Sequence, residues 1–135
     1  MKIRRVEHVA IAVDSMQRSL DLMRDTFGLE LEYQEQIGQT RLAMLPVGQS
    51  YIELLEGQGP DSGVTKWIAE NGAGLFHICF EVEDIEGAIA ELKEKNVKLQ
   101  SDTWRTGHAG SKIIFLDASA TGNVLIELAE LAAGH

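Results

Sequence analysis

In Val6-Glu7-His8-Val9-Ala10-Ile11-Ala12-Val13, the larger aliphatic residues Val9, Ile11 and Val13 stand at every second position. That alternation predicts a strand over about 5–13 with one packed face. The period then changes. Asp14-Ser15 offers a helix N-cap, and Met16, Leu20, Met23 and Phe27 follow at i, i+4, i+7 and i+11, the apolar stripe of a helix lying on a sheet. Gly28 fits its C-cap. Strands are expected at about 29–37, 40–46 and 50–56, turning at Gly38-Gln39 and Gly48-Gln49. A loop from Gly57 to Ser62 leads to a short helix at about 62–71, with Val64, Trp67 and Ile68 facing inward, closed by Asn71-Gly72-Ala73-Gly74.

The pattern then starts again. A strand at 75–82 runs into the cap Glu83-Asp84, and Ile85, Ile89 and Leu92 stand 69 residues after Met16, Leu20 and Met23. His77 follows His8 at the same offset. Further strands are expected at about 97–101, 111–117 and 123–129, and Glu127 follows Glu53 by 74 residues. The added five residues fall in the loop 102–110. The fold expected is α+β: tandem βαβββ modules, about 5–56 and 75–130, joined by a short helical linker in a single domain spanning 1–135. Each module has an apolar sheet face that its twin can cover, giving a cup-shaped mixed sheet.

Composition narrows the partners. A net charge of −9 excludes the phosphate surfaces of nucleic acid and anionic membranes. Cys79 is the one cysteine, so no intrachain disulfide forms; an inert core thiol and a reducing cytoplasm are expected. Met1-Lys2-Ile3-Arg4-Arg5 runs straight into a strand and does not read as a signal peptide or membrane span.

Candidate chemistry comes from residues that contradict the pattern. Glu53 interrupts Tyr51-Ile52-Glu53-Leu54-Leu55, and Glu127 interrupts Val124-Leu125-Ile126-Glu127-Leu128. An unpaired carboxylate in a buried strand costs several kcal/mol, so each needs a partner. Alternation puts His8 with Ala10 and Ala12, small neighbours that leave room, and His77 with Cys79. It puts Glu53 with Tyr51 and Leu55, and Glu127 with Leu125 and Ala129. All four lie opposite the helix-packing side chains. If the modules pair about a pseudo-twofold axis, two imidazoles and two carboxylates meet at one point. Such a set suits a divalent ion of octahedral habit, Mn, Co, Ni, Fe or Mg, and Zn less well.

With these residues the chain resembles the vicinal oxygen chelate (glyoxalase, bleomycin resistance, dioxygenase) superfamily, and within it the methylmalonyl-CoA epimerases. The segments that carry the likeness are His8-Val9-Ala10-Ile11-Ala12-Val13, Leu45-Pro46-Val47-Gly48, Ile52-Glu53-Leu54-Leu55-Glu56, Asp61-Ser62, the run from His77 to Ile85, and the run from Gly122 to Leu128. The resemblance covers about 5–130. It implies that His8, His77 and Glu127 ligate a metal, with Glu53 at a position that the family fills with Gln or Glu. It also implies a homodimer. The chain departs from the family at Phe76-His77, where a His-His pair is usual, and at Asp117-Ala118-Ser119-Ala120, where the family has His-Pro-Lys-Ser. Arg41 is matched to a position where one member of the family offers a second base.

A metal with two adjacent open positions can bind vicinal oxygens of a substrate and stabilise an enolate. Epimerisation between a thioester and a carboxylate also needs a base on each side of the carbon. Glu127 is the first candidate base and Glu53 the second, while Arg41 is a clamp for the substrate carboxylate if it points inward. The expected activity is thus a metal-dependent epimerase of a small acyl-CoA. The alternatives are a glyoxalase I-like lactoylglutathione lyase, whose ligand set fits the same positions, and a metal-free binding or resistance protein on this scaffold. The loop Trp104-Arg105-Thr106-Gly107-His108-Ala109-Gly110 reads as an ordinary surface loop, or as the place of a lid or a phosphate contact.

Overall fold

The computed structural model of the chain describes residues 1–134. It divides into two compact units, one of His8–Phe76 and one of Met1–Glu7 together with the residues from His77 onward. The boundaries fall inside strands, so the first strand begins in one unit and ends in the other.

The His8–Phe76 unit holds the second half of β1 (Ile3–Ala12), then α1 (Met16–Phe27), β2 (Tyr33–Ile37), β3 (Thr40–Val47), β4 (Ser50–Gly57) and α2 (Gly63–Asn71). Its strands lie in the order β2-β3-β4-β1, with β1 and β4 parallel and the other pairs antiparallel. Ser15 caps α1, its Oγ accepting from the Arg18 amide at 3.3 Å. Gly28 ends the helix at φ +69°, a left-handed conformation that glycine adopts without steric cost. Met16, Leu20 and Met23 pack on Ala43, Leu45, Ile52 and Leu54, as the stripe predicts. Phe27 does not; it is 67% exposed. Leu29, whose N–H bonds back to Met23 O just past the cap, joins that cluster instead.

The other unit repeats this plan. It contains β5 (Gly74–Val82) from His77 onward, α3 (Ile85–Glu94), β6 (Arg105–Thr106), β7 (Lys112–Phe115) and β8 (Ile126–Glu130). The order is β5-β8-β7-β6, with β5 and β8 parallel. The first, fourth, third and second strands of each module therefore lie side by side in the same sequence. Asp84 caps α3, accepting from the Gly87 amide at 3.1 Å, and Ile85, Ala88, Ile89 and Leu92 are buried on Ile114, Leu116 and Leu128. The strand expected at 97–101 is reduced to one bridge, Leu99 to Leu116. Polar Ser101-Asp102-Thr103 offers no buried alternation, and Arg105–Thr106 takes the edge position.

One capping device recurs in both units. Glu56 at the end of β4 accepts the first amide of α1, Met16 N, at 2.7 Å. Glu130 at the end of β8 accepts the first amide of α3, Ile85 N, at 3.0 Å. A carboxylate there satisfies an amide with no intrahelical partner and complements the helix dipole. Asp84→Ala is expected to cost about 1 kcal/mol of stability, read as a lower denaturant midpoint with unchanged slope. An unaltered midpoint would show that Glu130 alone fixes the start of α3. Among the described residues no helix is long and apolar enough to cross a membrane.

Candidate metal centre

In the His8–Phe76 unit, β1 and β4 run parallel with Ala10 opposite Glu53. His8 and Glu53 lean together, with Nε2 of the imidazole 3.2 Å from Oε1 of the carboxylate. Both are buried, at 0% and 4% exposure. Glu53 also stands opposite Met44 on β3, so Leu42, Met44 and Leu55 share the face of this pair. Ala10 and Ala12, expected to leave space, are 0% exposed. Val64, Trp67 and Ile68 of α2 pack into the cluster that contains them. Gly57 permits this close approach: a Cβ there would lie 2.0 Å from Thr65 Oγ1.

The second unit builds the same arrangement. Cys79 stands opposite Glu127, and His77 Nε2 lies 3.1 Å from Glu127 Oε1. Their exposures are 6% and 4%. In both units the carboxylate faces the residue two places beyond the histidine, Ala10 or Cys79. The Phe115 and His77 rings meet in a T-shaped contact, 5.0 Å between centroids. Cys79 is buried and packs with Ile113 and Ala129.

Each unit thus brings together one imidazole nitrogen and one carboxylate oxygen, at positions the repeat makes equivalent. The donor types fit a divalent metal, and histidine and carboxylate groups near enough to one another to ligate an ion occur among the described residues. A shared cation would also offset the desolvation cost of burying the carboxylates.

Arg41 is placed elsewhere. It stands opposite Glu56, whose carboxylate serves α1, and shares its face with Ala43 and Leu45 under that helix. The side chain is exposed and on the reverse of the sheet from Glu53. Period-two alternation decides this, because Leu42 and Met44 already occupy the inward positions.

The loop 104–110 reads from sequence as a surface loop, a lid or a phosphate contact, yet His108 within it is 4% exposed. Its Nε2 lies 3.0 Å from Oε1 of Glu7, itself 2% exposed, and its Nδ1 lies 3.5 Å from Ser111 Oγ. Arg5 links this pair onward, 3.9 Å from Glu7 and donating to Glu81 at 2.7 Å. The argument that singles out Glu53 and Glu127 applies equally to Glu7, a carboxylate among valines. That signal was in the sequence. The identity of its partner was not.

A family model described as "Glyoxalase/Bleomycin resistance protein/Dioxygenase superfamily" matches residues 7–115. The chain is 33% identical over 130 residues to the mitochondrial methylmalonyl-CoA epimerase of Mus musculus, covering 94% of this chain and 73% of that protein. It is 32% identical over 133 residues to the ethylmalonyl-CoA/methylmalonyl-CoA epimerase of Cereibacter sphaeroides, covering 96% and 99%. A variant of the Streptomyces coelicolor methylmalonyl-CoA epimerase, solved with 2-nitronate-propionyl-CoA, matches with a TM-score of 0.93 at 35% identity, over 98% of this chain and 97% of that one. The chain therefore has the mixed-sheet α+β fold of paired βαβββ modules and belongs to the methylmalonyl-CoA epimerase family of the glyoxalase, bleomycin resistance and dioxygenase superfamily.

Proposed function

We propose that this protein is a metal-dependent epimerase that moves the proton on the carbon between the thioester and the carboxylate of a malonyl-type acyl-CoA. The observation that carries the reading is the doubled imidazole–carboxylate pair, His8 with Glu53 and His77 with Glu127, in a chain one-third identical to methylmalonyl-CoA epimerases. His8, Glu53, His77 and Glu127 together would hold one divalent ion, Co, Mn, Ni, Fe, Mg or Zn. When bound, that ion supplies Lewis-acid stabilisation of negative charge on the substrate oxygens.

The chain's own groups do the rest. His8 and His77 each present Nε2 from a packed strand with a carboxylate oxygen within about 3 Å of it, so both atoms of each pair are within reach of one ion. Glu127, as the carboxylate, takes the proton from one side of the reacting carbon and Glu53, carrying a proton, delivers one from the other, so the configuration inverts and the protonation of the two residues is exchanged. Burial excludes bulk water from both carboxylates and strengthens their interaction with charge that develops nearby. The family resemblance further favours a homodimer, and the single buried cysteine a reducing compartment such as the cytoplasm.

Deuterium from solvent should appear at the carbon between the two carbonyl groups of methylmalonyl-CoA. EDTA should abolish this wash-in, and Co or Mn should restore it. Turnover of a glutathione hemithioacetal without wash-in would instead establish the lyase activity. Full wash-in after exhaustive chelation would remove the metal from the mechanism.

A further inference from the structure

We propose that Arg105 binds the phosphate-bearing arm of a CoA ester. This rests on the epimerase reading, and it supplies a cationic contact where Arg41 provides none.

The register of the second unit places Arg105. It stands opposite Ile113 on β7, and Ile113 packs with Cys79 and Ala129 on the face that carries His77 and Glu127. The guanidinium lies over the Phe115 ring, 5.9 Å from its centroid, and the T-shaped contact of that ring with His77 completes a row from cation to candidate ligand. A cation placed over an aromatic face is attracted to it without using its hydrogen-bond donors.

The charge of Arg105 is also singular. Lys2, Arg4, Arg5, Lys93, Lys95, Lys98 and Lys112 are the other lysines and arginines of this unit, and each has a carboxylate within 4.0 Å. Among the described residues Arg105 has none. In a chain of net charge −9, an arginine left without a carboxylate beside the candidate site is suited to a ligand that brings its own negative charge.

The segment that carries it is fixed at its far end. A Cβ on Gly107 would lie 2.7 Å from Ile113 Cγ2, so only glycine lets the backbone lie this close to β7. Gly107 N bonds Ser111 O at 2.8 Å, Ser111 N bonds His108 O at 2.9 Å, and His108 is held against Glu7. Ala109 takes φ +49° to complete the turn, a conformation costly for a residue with a side chain and kept here by the surrounding contacts.

Position selects which anion Arg105 meets. The acyl carboxylate adjoins the reacting carbon and must lie where Glu127 can reach that carbon, next to His77. Arg105 stands one aromatic ring farther out. The negative groups of the substrate remote from the reacting carbon are the CoA phosphates, whose oxygens match the planar donors of a guanidinium.

Calorimetric titration of the metal-loaded protein with two ligands tests this. CoA has the phosphates without the acyl carboxylate, and methylmalonyl-pantetheine has the carboxylate without the phosphates. Arg105→Gln should weaken CoA by about tenfold or more and leave methylmalonyl-pantetheine unchanged, with Arg105→Lys recovering part of the loss. Unchanged CoA affinity in Arg105→Gln, or equal loss of both ligands, would overturn the assignment. The affinities are read without turnover. A wild-type protein that fails the wash-in experiment but whose CoA affinity still depends on Arg105 would discard the reaction and keep the contact; normal wash-in with CoA affinity indifferent to Arg105 would do the reverse.

Discussion

Glu127→Gln is expected to slow deuterium wash-in at the reacting carbon by about 10²–10⁴-fold, the usual contribution of one positioned acid–base group. Gln preserves the shape of the side chain opposite Cys79 and keeps an oxygen donor, but a carboxamide does not accept a proton near neutral pH. The comparison with Glu53→Gln is informative because the family fills that position with either residue. If Glu53 acts chiefly as a ligand, its Gln variant retains most of the activity. If Glu53 is the second base, both variants fail alike. Metal content measured on the same samples separates loss of the ion from loss of the base. Wild-type rates in Glu127→Gln with the metal retained would take Glu127 out of proton transfer.

The second large effect is on stability. His108→Ala removes the imidazole from beside Glu7, and losing a buried polar contact costs about 1–3 kcal/mol. In chemical denaturation with EDTA present, the midpoint should fall by the amount that this loss divided by the slope gives. A double-mutant cycle with Glu7→Ala should recover much of the loss, since the two groups share one interaction. A strictly additive double mutant would mean that the approach of Nε2 to within 3.0 Å of Oε1 contributes nothing, and that the loop is held by Gly107 and Ser111 alone.

Much of the fold was legible because its signals are local. Ser15, Gly28, Ser62 and Asp84 cap helices as their chemistry predicts, and the change from period two to period 3.6 located α1 and α3. Errors arose where a side chain's environment depends on what else fills the space. Phe27 has the right phase for α1's buried stripe, yet Leu29, beyond the cap, packs in that cluster while Phe27 stays exposed. Alternation alone would have cleared Ala10 and Ala12 for a ligand, but α2 packs against them.

The candidate site divides the same way. His8, Glu53, His77 and Glu127 stood out because a charge in an apolar strand is anomalous wherever it occurs, and because duplication wrote the anomaly twice. Arg41 could not be placed without the register that sets it opposite Glu56. His108 and Arg105 belong to a segment without periodicity, where position is fixed by backbone turns and by contacts from distant parts of the chain.

From the sequence alone came the two modules, their helices and the four anomalous residues His8, Glu53, His77 and Glu127, because propensity, capping and alternation act between near neighbours and repetition copies them. Only the tertiary structure decided that Arg41 lies on the reverse of its sheet, that Glu7 meets His108, and that Arg105 lies over Phe115. Those outcomes depend on strand register and on a loop closing over a sheet, and contacts between residues far apart in the chain leave no periodic trace in it.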